Sequence, residues 1–387
     1  MELSYRSTPV GWAECIREIT EAFFARTIMA FDLEKLFVDV FAPQAGDILT
    51  IMYDLPHGKI QDNRAWLDRR RMADEWHTQI SAFSRKYGMT VNPIATYDAT
   101  GSHNSNMPEY GMWRDQQTSI EDILENSTIV IVMPEYSATA PLMCLSKKHV
   151  NLRAASMPTV TRGMELTALA ADYAKVAAVC AQLAPLFRKA HGIEVQFSTG
   201  HTCHFDISNH TSVFVDNAIL HPGAGRDADR VKNLPSGEVC TCPNESKDSL
   251  TAGEIPAIID GEMIVFVVKT NQIIGVKGDG PIAARMRQEF AAEPALRNIA
   301  EVAIGCNDKA VVTGNVLEDE KAGFHWAFGR SDFLGGMVSD KDFSSPDKVL
   351  HEDIVYARGN PIVCKRLDFI FLNGTRKTAI TDGVLCG

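Results

Sequence analysis

The chain has 387 residues, of which 45% are hydrophobic and 22% are charged, and its formal net charge is −11. This composition is that of an ordinary globular protein and excludes a disordered or fibrous one. An acidic chain lacks the basic patch that nucleic acid or an anionic membrane surface would favour, so we expect a small molecule or a short peptide as its partner.

The N-terminal residues, the lengths of the apolar runs and the cysteine pattern all indicate the same cellular location. The first residues, Met-Glu-Leu-Ser-Tyr-Arg-Ser-Thr-Pro, contain charged side chains and no continuous apolar core, so they do not predict a secretory signal. Apolar runs such as residues 128–133 and 263–268 are far shorter than the roughly 20 residues that cross a bilayer, and they indicate buried strands. The nine cysteines are scattered and odd in number, which is typical of reduced thiols. We therefore expect a cytoplasmic protein.

The first half of the chain alternates between helical and strand patterns. An apolar stripe of roughly helical period predicts a helix over residues 11–40, and the Ala- and Leu-rich residues 164–191 predict the clearest helix of the chain. This alternation is typical of a parallel sheet covered by helices, so we predict an α/β fold. Residues 97–117 predict a surface loop, to which the sequence assigns no function. The remaining predictions are a strand at 47–55, a helix at 64–87, a strand at 89–95, a helix at 120–125, and strands at 128–133 and 193–198.

The pattern changes after residue 207, where long helices give way to short strands separated by Gly, Pro and Asp. The length also exceeds what one core usually supports. We therefore predict an N-terminal α/β domain of residues 1–207 and a C-terminal, strand-rich α+β domain of residues 208–387 that carries a metal site. Within the second domain the sequence predicts a hairpin with its turn at residues 269–271, a helix at 282–298, and a turn at Asn373-Gly374.

Metal-ligand residue types gather in this second half. His351 and Asp353 are two residues apart, so on a strand both point to one face. His325 lies upstream in an apolar segment bounded by glycines, and Glu238 and Glu301 are lone acids in apolar surroundings. Buried carboxylates repel one another and lose hydration unless cations neutralise them. These five residues therefore predict a metal site, and their mixed nitrogen and oxygen donors suit Zn²⁺, Mn²⁺, Co²⁺ or Fe²⁺.

A second polar cluster falls at residues 200–206, with the sequence Gly-His-Thr-Cys-His-Phe-Asp. On a strand, His204 and Asp206 share the face opposite Cys203 and Phe205. His201, His204 and Asp206 could contact the substrate or support the metal ligands. They could equally form a polar turn that closes the first domain.

Four short motifs occur in one order along the second half. Together they resemble the thermophilic-aminopeptidase (aminopeptidase T and S) family of metallopeptidases, over the C-terminal half of the chain and including Asp382-Gly383 near its end. The resemblance implies a homodimer with a two-metal site whose ligands match Glu238, Glu301, His325, His351 and Asp353. The motifs are Asn-Leu-Pro-Ser-Gly-Glu-Val at 233–239, Ile-Ala-Glu-Val-Ala-Ile-Gly at 299–305, His-Trp-Ala-Phe-Gly at 325–329 and His-Glu-Asp at 351–353.

The chain departs from that family at one functional position. The family has a tyrosine seven residues after the histidine that matches His325, and Asp332 stands at that position in this chain. An aspartate can bind a metal or accept a proton, but it cannot donate the hydrogen bond of a neutral phenol. The resemblance makes Glu238 and Asp332 the candidate catalytic residues, with Asp332 facing the metals.

The main functional prediction is a metallohydrolase that cleaves a C–N bond of a small peptide, amide or ring by a metal-activated water, with two ions of Zn²⁺, Mn²⁺ or Co²⁺. The alternative is a ring-cleaving dioxygenase of the 2,5-dihydroxypyridine type, which the same motifs resemble and which uses one Fe²⁺ held by two histidines and an aspartate. In that branch a histidine stands where this chain has Glu301, and His325 could complete the triad with His351 and Asp353. A binding protein without catalysis is the third possibility.

Overall fold

The computed structural model describes residues 31–209, 212–223 and 230–386. Most of the helix predicted over residues 11–40 lies outside these ranges, and its described end is helix α1. The helices are α1 (Leu33–Phe41), α2 (Arg64–Ser84), α3 (Ile120–Glu125), α4 (Thr139–Ser146), α5 (Tyr173–Lys189), α6 (Pro281–Ala292) and α7 (Val316–Asp319).

The strands of the described residues form three sheets. In chain order they are β1 (Ile48–Leu55), β2 (Thr90–Val91), β3 (Ala95–Asp98), β4 (Tyr110–Trp113), β5 (Gln116–Ser119), β6 (Ile129–Val132), β7 (Arg153–Ser156), β8 (Gly192–Phe197), β9 (Thr202–Asp206), β10 (Val213–Asp216), β11 (Val231–Asn233), β12 (Glu238–Thr241), β13 (Ala252–Ile259), β14 (Glu262–Lys269), β15 (Gln272–Lys277), β16 (Ile299–Gly305), β17 (Phe324–Gly329), β18 (His351–Val355), β19 (Cys364–Ile370), β20 (Arg376–Thr381) and β21 (Val384–Leu385).

Sheet 1 is the largely parallel sheet that the alternation of helix and strand predicts. Its order is β11-β7-β6-β1-β3-β4-β5, with β2 also paired to β1. The strands from β11 to β3 run parallel, and β4 and β5 are antiparallel additions. Strand β6, with the sequence Ile-Val-Ile-Val, is buried at every position, as expected of a parallel strand covered on both faces. The α/β prediction is thus confirmed for this part of the chain.

Sheets 2 and 3 are antiparallel. Sheet 2 has the order β10-β12-β16-β17-β18, and sheet 3 has the order β15-β14-β13-β9-β8-β19-β20-β21. The predicted hairpin turn joins β14 to β15, where Thr270 and Asn271 adopt positive φ angles of 51° and 60°. The predicted turn at Asn373-Gly374 joins β19 to β20. Strands β16 and β17 are buried along their whole length, so the centre of sheet 2 lies in the interior.

The proposed domain boundary does not separate the sheets. Strands β8 and β9 precede residue 207 but pair with β19 and β13 in sheet 3. Strand β11 follows that residue and pairs with β7 in sheet 1. Residues from Leu33 onward form one compact unit, and the division into residues 1–207 and 208–387 stays a prediction.

The loop predicted at 97–117 contains strand β4 and the start of β5. Three predicted helices or strands also differ from the structure, each for a local reason. The helix predicted at 164–191 begins at Tyr173. The Asp172 carboxylate accepts hydrogen bonds from the backbone amides of Ala174 and Lys175 and so caps the helix there. The strand predicted at 89–95 is divided into β2 and β3 around Pro93, which cannot donate to a ladder. The helix predicted at 282–298 ends at Ala292, shortly before Pro294.

Two further observations concern apolar helices and thiols. Among the described residues no single helix is long and apolar enough to cross a bilayer, although one bent pair, Arg162–Ala170 with Tyr173–Lys189, meets the test by length and composition. The cysteines that the structure describes are free thiols, as the sequence predicted.

Helix α2 offers a direct test of how the sequence sets an element boundary. The Asn63 side-chain oxygen accepts a hydrogen bond of 2.8 Å from the Trp66 amide and caps the helix. We expect Asn63→Ala to lower the free energy of unfolding by about 1 kcal/mol, because the amide loses its acceptor. Asn63→Ser keeps an acceptor and serves as the control. Equal urea midpoints for the two variants would contradict this assignment.

Candidate metal centre

Three candidate ligands surround one alanine of sheet 2. Ala327 of β17 lies opposite Glu301 of β16 on one side and opposite Asp353 of β18 on the other. Residues directly opposite one another in neighbouring strands share a face. His351, two residues before Asp353, is on that face as well. The register therefore brings Glu301, His351 and Asp353 together around a side chain that is only a methyl group.

The other two candidates continue the same face. His325 of β17 lies opposite Ala303 of β16. Two residues further along β16, Gly305 lies opposite Glu238 of β12. The positions between the candidate ligands are thus an alanine and a glycine, and the backbone of Glu320 and Lys321 passes over that glycine.

His351 presents one ring nitrogen to two carboxylates. Its Nδ1 lies 2.7 Å from the carbonyl oxygen of Arg330, which can only accept, so Nδ1 carries the hydrogen. Its Nε2 lies 3.0 Å from an oxygen of Glu301 and 3.6 Å from an oxygen of Asp353. Burial lowers the pKa of His351, but these two carboxylates outweigh burial and raise the pKa well above its ordinary value. The two carboxylates therefore favour a positive charge at Nε2, which a proton or a metal ion can supply.

His325 repeats this arrangement on the next strand. Its Nδ1 lies 3.2 Å from the carbonyl oxygen of Gly323, and its Nε2 lies 3.2 Å from Glu238 and 3.8 Å from Glu301. Burial lowers the pKa of His325, but Glu238 raises it to about 9. The facing oxygen, Glu238 Oε2, is buried and has no hydrogen-bond partner among the residues that the structure describes.

These distances fit metal ligation. Two donors that bind one ion at about 2.1 Å lie roughly 3.0 to 4.2 Å apart, depending on the angle at the ion. The four separations between histidine nitrogen and carboxylate oxygen, from 3.0 to 3.8 Å, fall in this range. Each histidine also donates its other ring hydrogen to a backbone carbonyl, as metal-bound histidines commonly do. An ion would satisfy the orphaned oxygen of Glu238.

The structure thus brings the five predicted ligands to one face of sheet 2. They belong to two groups of donors that could hold a metal ion, each with its donor atoms within 4.8 Å of one another. The first group is Glu301, His351 and Asp353, and the second is Glu238, Glu320 and His325.

The sequence analysis did not select Glu320 of the second group, or Lys321 and Asp216, which adjoin that group. Lys321 is fully buried, and its Nζ lies 2.6 Å from Glu238, 2.6 Å from Glu320 and 3.4 Å from Asp216. Burial raises the pKa of Glu320 and Asp216. Adjacent Glu and Lys residues are usually solvated, so only the fold distinguishes this pair. Asp216 lies on β10, directly opposite Glu238 of β12, so knowledge of this strand pairing would have identified it.

Asp332, the predicted catalytic residue, is not brought to this group. Its two carboxylate oxygens accept hydrogen bonds of 2.6 and 3.1 Å from the Arg330 guanidinium, and its side chain is 31% exposed. The short helical turn that begins at Asp332 instead brings Phe333 and Leu334 to the cavity. The structure gives no support to the prediction that Asp332 faces a metal.

The cluster at 201–206 also lies apart from the cavity lining. Asp206 accepts hydrogen bonds from Ser208, Asn244 and the Leu250 amide, and so ties the end of β9 to a loop. The His204 ring packs so closely over Gly192 that a Cβ there would lie 2.3 Å from it. His201 is hydrogen-bonded to Thr199 and lies 3.8 Å from Glu254. Residues 202–206 form strand β9 of sheet 3 and not a turn, and a role in substrate binding stays a prediction.

A cavity of about 280 Å³ opens over the metal-ligand face. Glu238, Glu301, His351 and Asp353 line it. Apolar side chains line it as well, and the ring of Phe333 packs edge-on against His351 with centroids 5.0 Å apart. The other apolar lining residues include Met143, Phe214, Val231, Leu317 and Leu334. The cavity therefore combines charged, polar and apolar lining side chains and has space for a small aromatic molecule.

His103 lines the same cavity, although the sequence gave it no role. Its Nδ1 accepts a hydrogen bond of 3.1 Å from the Ser137 amide, so in the neutral ring the hydrogen is on Nε2. Burial lowers the pKa of His103, which favours this neutral form. Arg330 donates to the carbonyl oxygen of the next residue, Asn104, at 2.7 Å and so ties this loop to sheet 2. Only the fold shows that His103 is near the ligands.

Comparisons with known proteins add a likeness of fold. No protein-family model matches the chain, and no curated protein matches it. Among solved structures it is similar to 2,5-dihydroxypyridine dioxygenase from Pseudomonas putida KT2440, with a TM-score of 0.61 and 14% sequence identity, over 93% of this chain and 98% of that one. The predicted likeness to the dioxygenase fold is therefore confirmed. The resemblance to aminopeptidases T and S gains no support from these comparisons.

The same change, aspartate to asparagine, is made separately at two positions to test the metal centre. We expect Asp353→Asn to weaken Mn²⁺ affinity by at least about 100-fold, because it removes an anionic donor from a small ligand set. Asp332→Asn is the matched control, since it changes only a carboxylate paired with Arg330 and should keep the affinity of the unaltered protein. Calorimetric titration of the metal-free proteins measures both. Equal losses in the two variants would contradict the assignment of Asp353.

Proposed function

We propose that this protein is a metal-dependent enzyme that cleaves the ring of a small hydroxylated aromatic substrate with O₂. The observation that carries the proposal is the donor group of Glu301, His351 and Asp353, which lines a cavity together with the rings of Phe214 and Phe333. His325, His351 and Asp353 are the two histidines and one carboxylate that non-haem Fe²⁺ oxygenases use. Fe²⁺ held there would supply the activation of O₂ that ring cleavage needs.

The fold neighbour supports this reading. Its name describes a dioxygenase acting on a dihydroxypyridine, and the likeness covers nearly the whole of both chains. A shared fold alone does not fix function, so the weight of the proposal rests on the site. The cavity volume of about 280 Å³ suits a single ring better than a long peptide.

The chain's own residues have distinct roles in this proposal. The edge of Phe333 and the neighbouring apolar side chains bind the ring face and exclude water from it. His103, with its hydrogen on Nε2, donates a hydrogen bond to an oxygen of the substrate. The carboxylate oxygens of Glu301 lie within 3.8 Å of Nε2 of both His325 and His351, so Glu301 fixes the positions of the two rings.

A C–N hydrolase is the second candidate, and one observation favours it. Glu238 and Glu301 both lie among the donors, as the aminopeptidase resemblance implies. The hydrolase reading lacks a proton-transferring group at Asp332, however, because Arg330 binds that carboxylate. The dioxygenase reading requires no group at this position.

Oxygen consumption separates the two candidates. We expect the Fe²⁺-loaded protein to take up O₂ in the presence of dihydroxylated pyridines or benzenes, with loss of the aromatic absorbance. The metal-free and the Zn²⁺-loaded proteins should be inactive, because zinc has no accessible redox change. An oxygen electrode measures this uptake. Cleavage of dipeptides or small amides by the Zn²⁺- or Mn²⁺-loaded protein under anaerobic conditions would instead establish the hydrolase.

A further inference from the structure

The most unusual charge in the structure is the ammonium of Lys321. Its side chain is 0% exposed, and its Nζ lies among three carboxylates, at 2.6 Å from Glu238 and Glu320 and 3.4 Å from Asp216. An unpaired ammonium would not be stable in such a place, so these contacts are what keep it there. The other oxygen of Glu238 points toward His325.

The backbone fixes this position. The Glu320–Lys321 segment crosses directly over Gly305 of β16, where a Cβ would lie 2.1 Å from the Glu320 carbonyl oxygen and 2.5 Å from the Lys321 carbonyl carbon. The Lys321 carbonyl oxygen also accepts a hydrogen bond of 3.0 Å from the Asn307 amide. The segment can therefore approach sheet 2 only because residue 305 is glycine.

The ammonium occupies a place where a metal ion would otherwise be expected. Glu238, Glu320 and His325 form one of the two donor groups that could hold an ion. Lys321 Nζ contacts a carboxylate oxygen of two of these three residues at 2.6 Å. A divalent ion bound to the same oxygens would lie within a few ångströms of that ammonium and be repelled by it.

We propose that Lys321 takes the place of a second metal ion, so that the centre binds one ion and not two. The inference rests on the proposed metal-dependent function and specifies the metal count. The one ion lies at His351 and Asp353, beside Glu301, and His325 is on the neighbouring strand β17. Lys321 then acts as a positioning residue: it holds one oxygen of Glu238 and turns the other toward His325.

Metal stoichiometry tests this proposal. Mn²⁺ is added in excess to the metal-free protein, unbound Mn²⁺ is removed by gel filtration, and the bound metal is measured by mass spectrometry. We expect about one ion per chain for the unaltered protein and about two for Lys321→Met, which leaves the three carboxylates without their ammonium. The thermal midpoint of Lys321→Met should also rise with Mn²⁺ more than that of the unaltered protein.

Two further variants keep the test decisive. In the double variant Lys321→Met with Glu320→Gln, the second group loses an anionic donor, and binding should return to about one ion per chain. If Lys321→Met does not fold, Lys321→Gln replaces it, since an amide can still donate to Glu238. If neither folds, the Mn²⁺ titration of the unaltered protein decides, with a single binding step expected.

The possible failures are distinct. Two ions per unaltered chain, or one ion per chain in a folded Lys321→Met with no extra stabilisation by Mn²⁺, would overturn the role of Lys321 and leave a metal enzyme in place. No bound ion in the unaltered protein would overturn the proposed function itself.

Discussion

The structure depends on the electrostatic balance of carboxylates buried over one face of sheet 2. Glu238, Glu301 and Glu320 are buried, and Asp216 and Asp353 adjoin them. Carboxylates removed from water at such short separations cannot all remain ionised unless cations lie among them. Lys321 is one such cation, fixed by the chain. The two histidines, each with its Nε2 aimed at carboxylate oxygens, mark the place for another.

The rest of the fold serves this arrangement. Antiparallel pairing brings ligands from four strands to one face, and the small side chains of Ala303 and Ala327 lie between them. Loops from sheet 1 close the cavity from above, where Arg330 holds Asn104 and thereby the neighbouring His103. A glycine at position 305 allows the lysine to approach. Substitution of these small residues would affect the site without touching a ligand.

Much of the site could be predicted because its signals are local. The i, i+2 spacing of His351 and Asp353 places both on one face of any strand, and the lone acids Glu238 and Glu301 in apolar segments indicated an unusual partner. The parallel sheet followed from the alternation of helix and strand patterns, and the turn at Asn373-Gly374 from its turn residues. These inferences require only neighbouring residues.

What could not be predicted depends on contacts between distant segments. His103 lies in a loop more than one hundred residues before the ligands, and the burial of Lys321 follows from the path of its backbone over Gly305. Asp332 was predicted to face the metals because it lies seven residues after His325, but a separation in sequence does not specify where a side chain points. The nearby Arg330 binds the Asp332 carboxylate. The start of α5 was missed because a run of Ala and Leu does not reveal that Asp172 caps the helix.

The central claim is that one ion is bound by histidine and carboxylate donors beside a lysine that replaces a second ion. X-ray absorption at the iron edge of the Fe²⁺-loaded protein tests it most directly. The account predicts a first shell of nitrogen and oxygen only, with the outer-shell scattering of two imidazole rings and no metal–metal distance near 3.5 Å, which is about the separation in two-metal sites. A metal–metal distance of that size, or a shell without imidazole, would contradict it.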